Sequence, residues 1–389
     1  MAKNILFLLL TISSFVYGQQ LTLSESAEIS VLTVGPGSSL NDAFGHSAFR
    51  IKDPNNKLDK VYGYGEYDFN APNFYLKFAR GKLNYLLSKD DFNRFYQIYA
   101  YYNRTVKEQV LNLSQSEKQK LYDYLINNYK PENRSYLYEF FFDNCATRIK
   151  DVAQFSTNNT IEFNSPENFK AKTFRNLIYD NVDRNTWGSL GIDVALGSVI
   201  DRLATPEEHM FLPENIYNFF EVGTKKDGTK LVKNSSSIFT QRPTKPSNSF
   251  FSSPLFILGI IALIILLITY KDFKRNKRTL WLDIALFTFT GLIGLFILLL
   301  WFATDHTGTH QNYNLLWAFA LNILMIGQLL KKTPKKWFTK YLKFLIIMLC
   351  LMTLHWVIGV QVFAIGLIPL LIALGMRYIF LVKYYTLNQ

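Results

Sequence analysis

Polar and apolar residues fall into three regimes along the chain. Behind Lys3, Ile5 to Val16 is an apolar run of 12 residues. It is too short to cross a bilayer comfortably. With the small-residue site Val16-Tyr17-Gly18, it predicts an export signal over residues 1–18, leaving Gln19 as the new terminus. The alternative is an uncleaved anchoring helix. From residue 254 onward the chain turns strongly apolar. Pro254–Tyr270, Leu280–Phe302, Leu315–Leu330, Tyr341–Ile358 and Val362–Val382 are stretches of 16–23 residues, against the ~20 residues a spanning helix needs. Five transmembrane helices are therefore expected over 254–389, with Tyr313 and Trp317 anchoring the outer end of the short third one.

Between these regimes, residues 19–222 have the pattern of a folded domain. His46–Ile51 alternates polar and apolar residues, Asp53-Pro54-Asn55-Asn56 is a turn, and Val61–Phe69 reads as a return strand. Val106–Leu113 is a further strand. Ser114-Gln115-Ser116-Glu117 is a capping box opening a helix to about Asn128, stopped by Pro131. Tyr136–Phe142 reads as a buried strand, and Asp143-Asn144 caps a helix that begins at Cys145. The pattern predicts an α+β domain with an antiparallel sheet. Residues 223–253, with Ser235-Ser236-Ser237 and the polar run from Pro243, read as a linker.

Charge changes this picture by giving it a direction. The 389 residues carry 42 Lys/Arg and 30 Asp/Glu, a formal charge of +12. Residues 251–389 hold 13 and 3 of these, residues 1–250 the remaining 29 and 27, so the excess lies in the apolar half. That excludes a soluble basic nucleic-acid face. Lys271, Lys274, Arg275, Lys277 and Arg278 fall between the first two spans. Lys331, Lys332, Lys335, Lys336 and Lys340 fall between the third and fourth. The positive-inside rule makes both loops cytoplasmic, which puts the N-terminal domain outside the cytoplasmic membrane and the C-terminus inside. Two cysteines, one in each half, exclude a disulfide-stapled domain.

The chemistry starts from Cys145. It is the only cysteine of the exported part, and at a helix N-terminus the macrodipole should favour its thiolate. The competing reading is a buried structural cysteine. A thiol nucleophile needs a base, and the exported domain has only His46 and His209. His209, in Thr-Pro-Glu-Glu-His, reads as a solvated residue in the first turn of a helix. His46, opening a strand after Gly45, is the better base, its alternative being a core histidine. A third group should orient the imidazole. By the period of two, Tyr62, Tyr64, Glu66 and Asp68 share a face of the return strand, and the sequence does not choose among them. Asn144 is a further candidate for oxyanion support. No cluster has metal-ligand spacing and no phosphate-cradling glycine loop is present, so neither a metal nor a cofactor is expected.

Several segments resemble Lnb-type bacterial lipoprotein N-acyltransferases. They are Phe44-Gly-His-Ser-Ala-Phe-Arg-Ile51, Tyr62-Gly-Tyr-Gly-Glu-Tyr-Asp-Phe69, Asp143-Asn-Cys-Ala-Thr-Arg-Ile149, Gly191–Gly197 with Asp201, Met210-Phe-Leu-Pro213, Thr304-Asp-His306 and Asn314-Leu-Leu-Trp317. The resemblance covers nearly the whole chain. The exported domain of that family is similar to circularly permuted papain-like enzymes such as lecithin:retinol acyltransferase. In that order the histidine strand precedes the cysteine helix, and here His46 precedes Cys145 by 99 residues. The resemblance implies that Cys145 is the nucleophile and His46 the base. It implies a ping-pong reaction that moves an acyl chain from a phospholipid donor, through a Cys145 thioester, to the α-amine of a diacylated lipoprotein acceptor. No third residue transfers, because Glu66 stands where a smaller polar residue is expected.

Arg80 and Lys82 are candidates for holding a lipid phosphate, against a plain solvated surface. His306 and His355 are candidates for substrate contacts near the outer membrane face, against ordinary interfacial residues. The competing function is an exported cysteine hydrolase, a phospholipase or a cell-wall peptidase or amidase, using the same dyad. A non-enzymatic sensor or assembly protein, with Cys145 structural, is the third.

Overall fold

The structure is a computed structural model describing residues 21–243 and 249–387. The expected export signal lies outside the described residues. In chain order the first strands are β1 (Glu28–Val34), β2 (His46–Asp53) and β3 (Leu58–Glu66), followed by the short helix α1 (Phe74–Ala79). β4 (Asn84–Asp91), α2 (Phe92–Tyr101), β5 (Val106–Leu111), α3 (Gln115–Asn128) and β6 (Ser135–Leu137) come next. Then follow α4 (Cys145–Ser156), β7 (Ile161–Glu162), α5 (Phe174–Tyr179), α6 (Trp187–Ala195) and α7 (Pro213–Val222). The strands β8 (Thr224–Lys225) and β9 (Val232–Phe239) complete the exported part.

Seven strands form one antiparallel sheet in the order β6-β4-β3-β2-β1-β5-β9. Register decides what each face carries. Val31 lies opposite Phe49 and Phe49 opposite Tyr62, so these three share the face packed by Leu121 and Leu125 of α3, Ile149 and Val152 of α4, and Phe219 and Phe220 of α7. Ala48 lies opposite Gly63 and shares the other face with Leu32, Val61 and Phe95 of α2. The α+β class, the hairpin at Pro54 and the capping box at Ser114 are as expected.

Three expectations change. The predicted linker contains β9, where Ser235, Ser236 and Ser237 pair with β5. An edge strand needs no apolar outer face, so its polar sequence hides it. The strand expected over Tyr136–Phe142 stops at Leu137. There the Glu139 carboxylate accepts the N–H groups of Phe141 and Phe142, turning the chain and tucking Phe141 inward.

The third concerns the form of the spans. The long apolar helices are α8 (Pro254–Arg275), α9 (Leu280–Phe302), α11 (Lys336–Val357) and α12 (Ile368–Leu387), the last running on from a short turn at Ile365. The remaining apolar stretch is broken into a turn at Tyr313–Leu316 and an eight-residue helix, α10 (Asn322–Leu329). Thus four helices among the described residues are long and apolar enough to cross a membrane. The break is held by polar side chains. Asn322 donates to Thr290 Oγ1 and accepts from Tyr341, and the Tyr313 N–H donates to Gln361. Irregular backbone at this depth is tolerated because its freed groups find partners within the protein. At its other end the carbonyl of Leu329 accepts from Arg278, between α8 and α9. Arg377 joins the helices near that end by ion pairs to Asp272 and Asp283.

The two halves share a polar seam. Arg175 is fully buried and donates to Asp193, Asp201 and the carbonyls of Leu196 and Gly197. Just beyond it, the loop after α9 docks on the chain around Gly197. The Gly197 N–H donates to Gly308, Asn312 donates to Val194 and Ala195, and Asn314 to Asp193. A β-carbon on Gly197 would lie 1.9 Å from the His310 carbonyl oxygen. No larger residue fits that approach.

Candidate active site

Two local devices bring Cys145 and His46 to one place. Asn144 caps α4 by accepting the N–H groups of Ala146 (2.8 Å) and Thr147 (3.0 Å), while its amide donates to the carbonyls of Phe140 and Phe211. This fixes where the helix starts and which way the sulfur points. Gly45, at φ +81°, turns the chain into β2; a β-carbon there would meet the Val34 carbonyl at 2.5 Å. As a result the Ser47 N–H comes close enough to the Cys145 thiol to favour its charged form. Cys145 and His46 line one cavity of about 330 Å³. Its other walls are dominated by Phe44, Tyr67, Phe74, Phe78, Tyr138 and Phe140.

The electrostatics differ from the expectation of a lowered thiol pKa. Burial pushes the Cys145 thiol up, and the N–H groups of Ser47, Ala146 and Cys145 itself oppose this only in part. Burial, with the nearby Arg104 guanidinium, lowers the His46 imidazole to about 4. The thiol and the imidazole, both lining the cavity, therefore rest neutral. Desolvation outweighs the helix dipole because it acts on the whole charge, while the dipole amounts to about half a charge at the helix end.

None of the four residues expected to orient His46 does so. His46, Ala48 and Arg50 share a face of β2, and through the Ala48–Gly63 pair that face continues into the odd-numbered residues of β3. Tyr62 and Tyr64 consequently point to the opposite face, into the core. The Tyr64 hydroxyl donates to Asn128. A bulge at Gly65 then breaks the period of two, and Glu66 and Asp68 are exposed, the Asp68 carboxylate accepting the Asn70 N–H. Asn144 has its oxygen and both amide hydrogens engaged by the cap, which leaves no donor for an oxyanion. The imidazole instead stacks on Tyr99, with ring centroids 6.5 Å apart, and lies over Gly63. A β-carbon on Gly63 would come within 3.0 Å of His46 Nε2 and 3.4 Å of Ser88 Oγ.

His209 is also not the solvated residue expected. It is buried, with Nε2 accepting from the Lys172 N–H (3.1 Å) and Nδ1 beside the Thr205 carbonyl (2.7 Å). Both nitrogens are used in packing the chain. Sequence reasoning missed Tyr99, Ser88 and Arg104. Arg104 is buried, holds the Gly35 carbonyl and Asp42, and keeps one terminal nitrogen without a partner. No signal marked it, because nothing local places residue 104 behind the strand of His46.

The remaining candidates separate. Arg80 and Lys82 are exposed at the end of α1, with Lys82 3.4 Å from Asp305. His306 Nε2 lies 3.0 Å from the carbonyl of Phe78, a cavity residue, so the loop after α9 abuts the cavity wall. His355 packs on Tyr313 within the membrane part and does not line the cavity.

Comparison with known families agrees with this two-part architecture. The model of the Lnb N-terminal periplasmic domain matches residues 17–179, and that of the Lnb transmembrane domain matches residues 245–388. Comparison with curated proteins and with solved structures finds no match. The chain is thus a multi-pass inner-membrane protein with a periplasmic domain, and it belongs to the Lnb family.

Proposed function

We propose that the protein is a lipoprotein N-acyltransferase with Cys145 as nucleophile and His46 as general base. The observation that carries this reading is the shared cavity, walled largely by aromatic side chains, with a thiol and a neutral imidazole in its lining. The order of the histidine strand and the cysteine helix suits a permuted papain-like domain. With Nε2 lying over Gly63, Nδ1 is the nitrogen left to take the thiol proton. As it does, the sulfur attacks the ester carbonyl of a phospholipid and a C–S bond forms. The N–H of Cys145, at the start of α4, steadies the oxyanion. The C–O bond then breaks, the lysophospholipid leaves with the proton from His46, and a thioester remains. The α-amine of a diacylglyceryl-cysteine lipoprotein attacks that thioester, forms the amide and passes its proton through His46 to the departing sulfur. Exclusion of water by the aromatic walls favours aminolysis over hydrolysis.

In this reading residues 313–329 make a broken fifth crossing. Its first residue bonds to Gln361 beside the periplasmic seam, and its last to Arg278 in a basic loop. Five crossings leave the C-terminus in the cytoplasm, and neither a metal nor a cofactor takes part.

The test is mass spectrometry of lipoprotein N-termini in cells with and without the protein. A triacyl form that becomes diacyl on its loss is expected. Unchanged N-termini overturn the reading. Fatty acid released by the purified protein without any amine acceptor favours the hydrolase.

A further inference from the structure

Helix α1 has the wrong surface for a periplasmic helix. Only Phe74 is buried, while Tyr75 is 79% exposed, Leu76 57% and Phe78 54%. Contiguous exposed apolar side chains on a single short helix mark a contact surface. Its position says what the contact is. Helix α9 ends at Phe302, and three residues later the Asp305 N–H donates to the Arg80 carbonyl at 2.9 Å. His306 reaches the Phe78 carbonyl, and Lys82 pairs with Asp305. Gly81, at φ +69°, lies flush against this loop; a β-carbon there would be 3.1 Å from the His306 nitrogen. The helix is thus fastened to the point where the chain leaves the membrane.

Other exposed aromatics mark the same level. Phe250 and Phe251 stand just before α8, Phe302 ends α9, and Trp187 donates from its indole to the Ser252 carbonyl. Together they resemble the aromatic belt of a membrane–water interface. Lys77 and Arg80 are exposed on or beside α1, as suits an anionic headgroup layer. Tyr75 and Phe78 also line the cavity of Cys145.

We propose that α1 is seated in the outer leaflet, with Tyr75, Leu76 and Phe78 among the phospholipid chains, and forms the gate through which a lipid ester slides sideways to Cys145. The occupant of this surface is the bilayer itself. The proposal rests on the acyl-transfer reading for the cargo, but the depth of α1 is measured independently of it.

The experiment uses the full chain in phosphatidylethanolamine–phosphatidylglycerol vesicles. A spin label is placed at Leu76→Cys in a Cys145→Ala, Cys350→Ala background. A second is placed at Asn55→Cys, at the hairpin tip on the far end of β2. The label at 76 should be more accessible to oxygen than to a water-soluble nickel complex, with the order reversed at 55. In otherwise unaltered protein, Leu76→Asp should slow thioester formation from vesicle phospholipid by about tenfold and leave a short-chain water-soluble ester within about twofold. A label at 76 as open to water as that at 55 overturns the proposal. So does a Leu76→Asp variant that loses neither reaction, or both. Protein with native Leu76 that forms a thioester from neither donor sinks the acyl-transfer reading, while the depth measurement still reports where α1 lies.

Discussion

The seam around Arg175 is a buried polar network and the cavity around Cys145 a largely aromatic pocket with a few half-buried polar groups, and they are built on opposite principles. At the seam each guanidinium nitrogen of Arg175 has a partner. Arg175 meets two carboxylates and two carbonyls, Asp193 also accepts from Tyr179, and Asn314 continues the network into the membrane part. In the cavity polar groups are left unspent. His46 makes no side-chain hydrogen bond among the described residues, and Arg104, near His46 but outside the cavity lining, keeps one nitrogen without a hydrogen-bond partner among them. The two histidines of the exported domain repeat the contrast, since His209 has both nitrogens engaged and His46 neither. A satisfied buried network fixes the position of the domain on its spans. An unsatisfied one holds groups whose partners arrive with the substrate.

The contrast is broken most forcefully at the sulfur. Cys145→Ala should lower lipoprotein N-acylation on the order of 10³-fold or more, with an unchanged melting temperature. His46→Gln should cost about 10²–10⁴-fold, also without unfolding. Intact-protein mass spectrometry for the acyl adduct and thermal melts of the purified protein check both. Activity retained in Cys145→Ala would mean that the cavity is not where the chemistry happens.

Arg175→Met tests the other side. It leaves Asp193 and Asp201 buried without their cation, so the expected loss is about 3–5 kcal/mol of stability. Thermal melting in detergent is the measurement. Loss of activity without loss of stability would mean that the seam is part of the catalytic machinery.

Much of this was legible in the sequence, and what was not has identifiable causes. The Ser114 and Asn144 caps and the hairpin at Pro54 follow from local patterns, and the structure contains them; Cys145 and His46, proposed together from the sequence, line one cavity. The four orienting candidates failed because period-two reasoning gives which residues share a face, but not which face. Register across β2 and β3 puts Tyr62 and Tyr64 on the far side, and one glycine bulge releases Glu66 and Asp68. The third apolar stretch satisfied a hydropathy count, while the break is held by Asn314 just before it and Asn322 within it, both buried. Tyr99 and Arg104 reach the site only through the packing of α2 on the sheet.

Gly63 gives a finer test, because its lack of a side chain is what lets the imidazole lie down. Gly63→Ala would put a methyl 3.0 Å from His46 Nε2. The ring must tilt, and acylation of Cys145 should slow roughly 10- to 100-fold, the range for a displacement of about 1 Å at a reacting group. The backbone there needs no left-handed conformation, so the melting temperature should stay close to that of the unaltered protein. An equal fall in stability and rate would show that Gly63 serves the sheet and not the histidine.

The smallest expected effect is one of pH, and its sign separates two pictures of the dyad. A resting thiolate–imidazolium pair would raise the histidine above its ordinary value of 6.5. Burial first, and Arg104 second, instead lower His46 to about 4. The unfolded chain then binds more protons than the folded one between pH 4 and 6.5, so stability should rise with pH across that window and be flat, as far as His46 is concerned, above it. The rate of Cys145 acylation by a water-soluble ester should likewise keep its base form down to about pH 4. Arg104→Met removes the lesser of the two causes and should move that acid limb part of the way toward 6.5. A limb already at 6.5 or higher in the unaltered protein would mean that the pair rests as ions, and that the N–H groups of Ser47, Ala146 and Cys145 outweigh the burial of the sulfur.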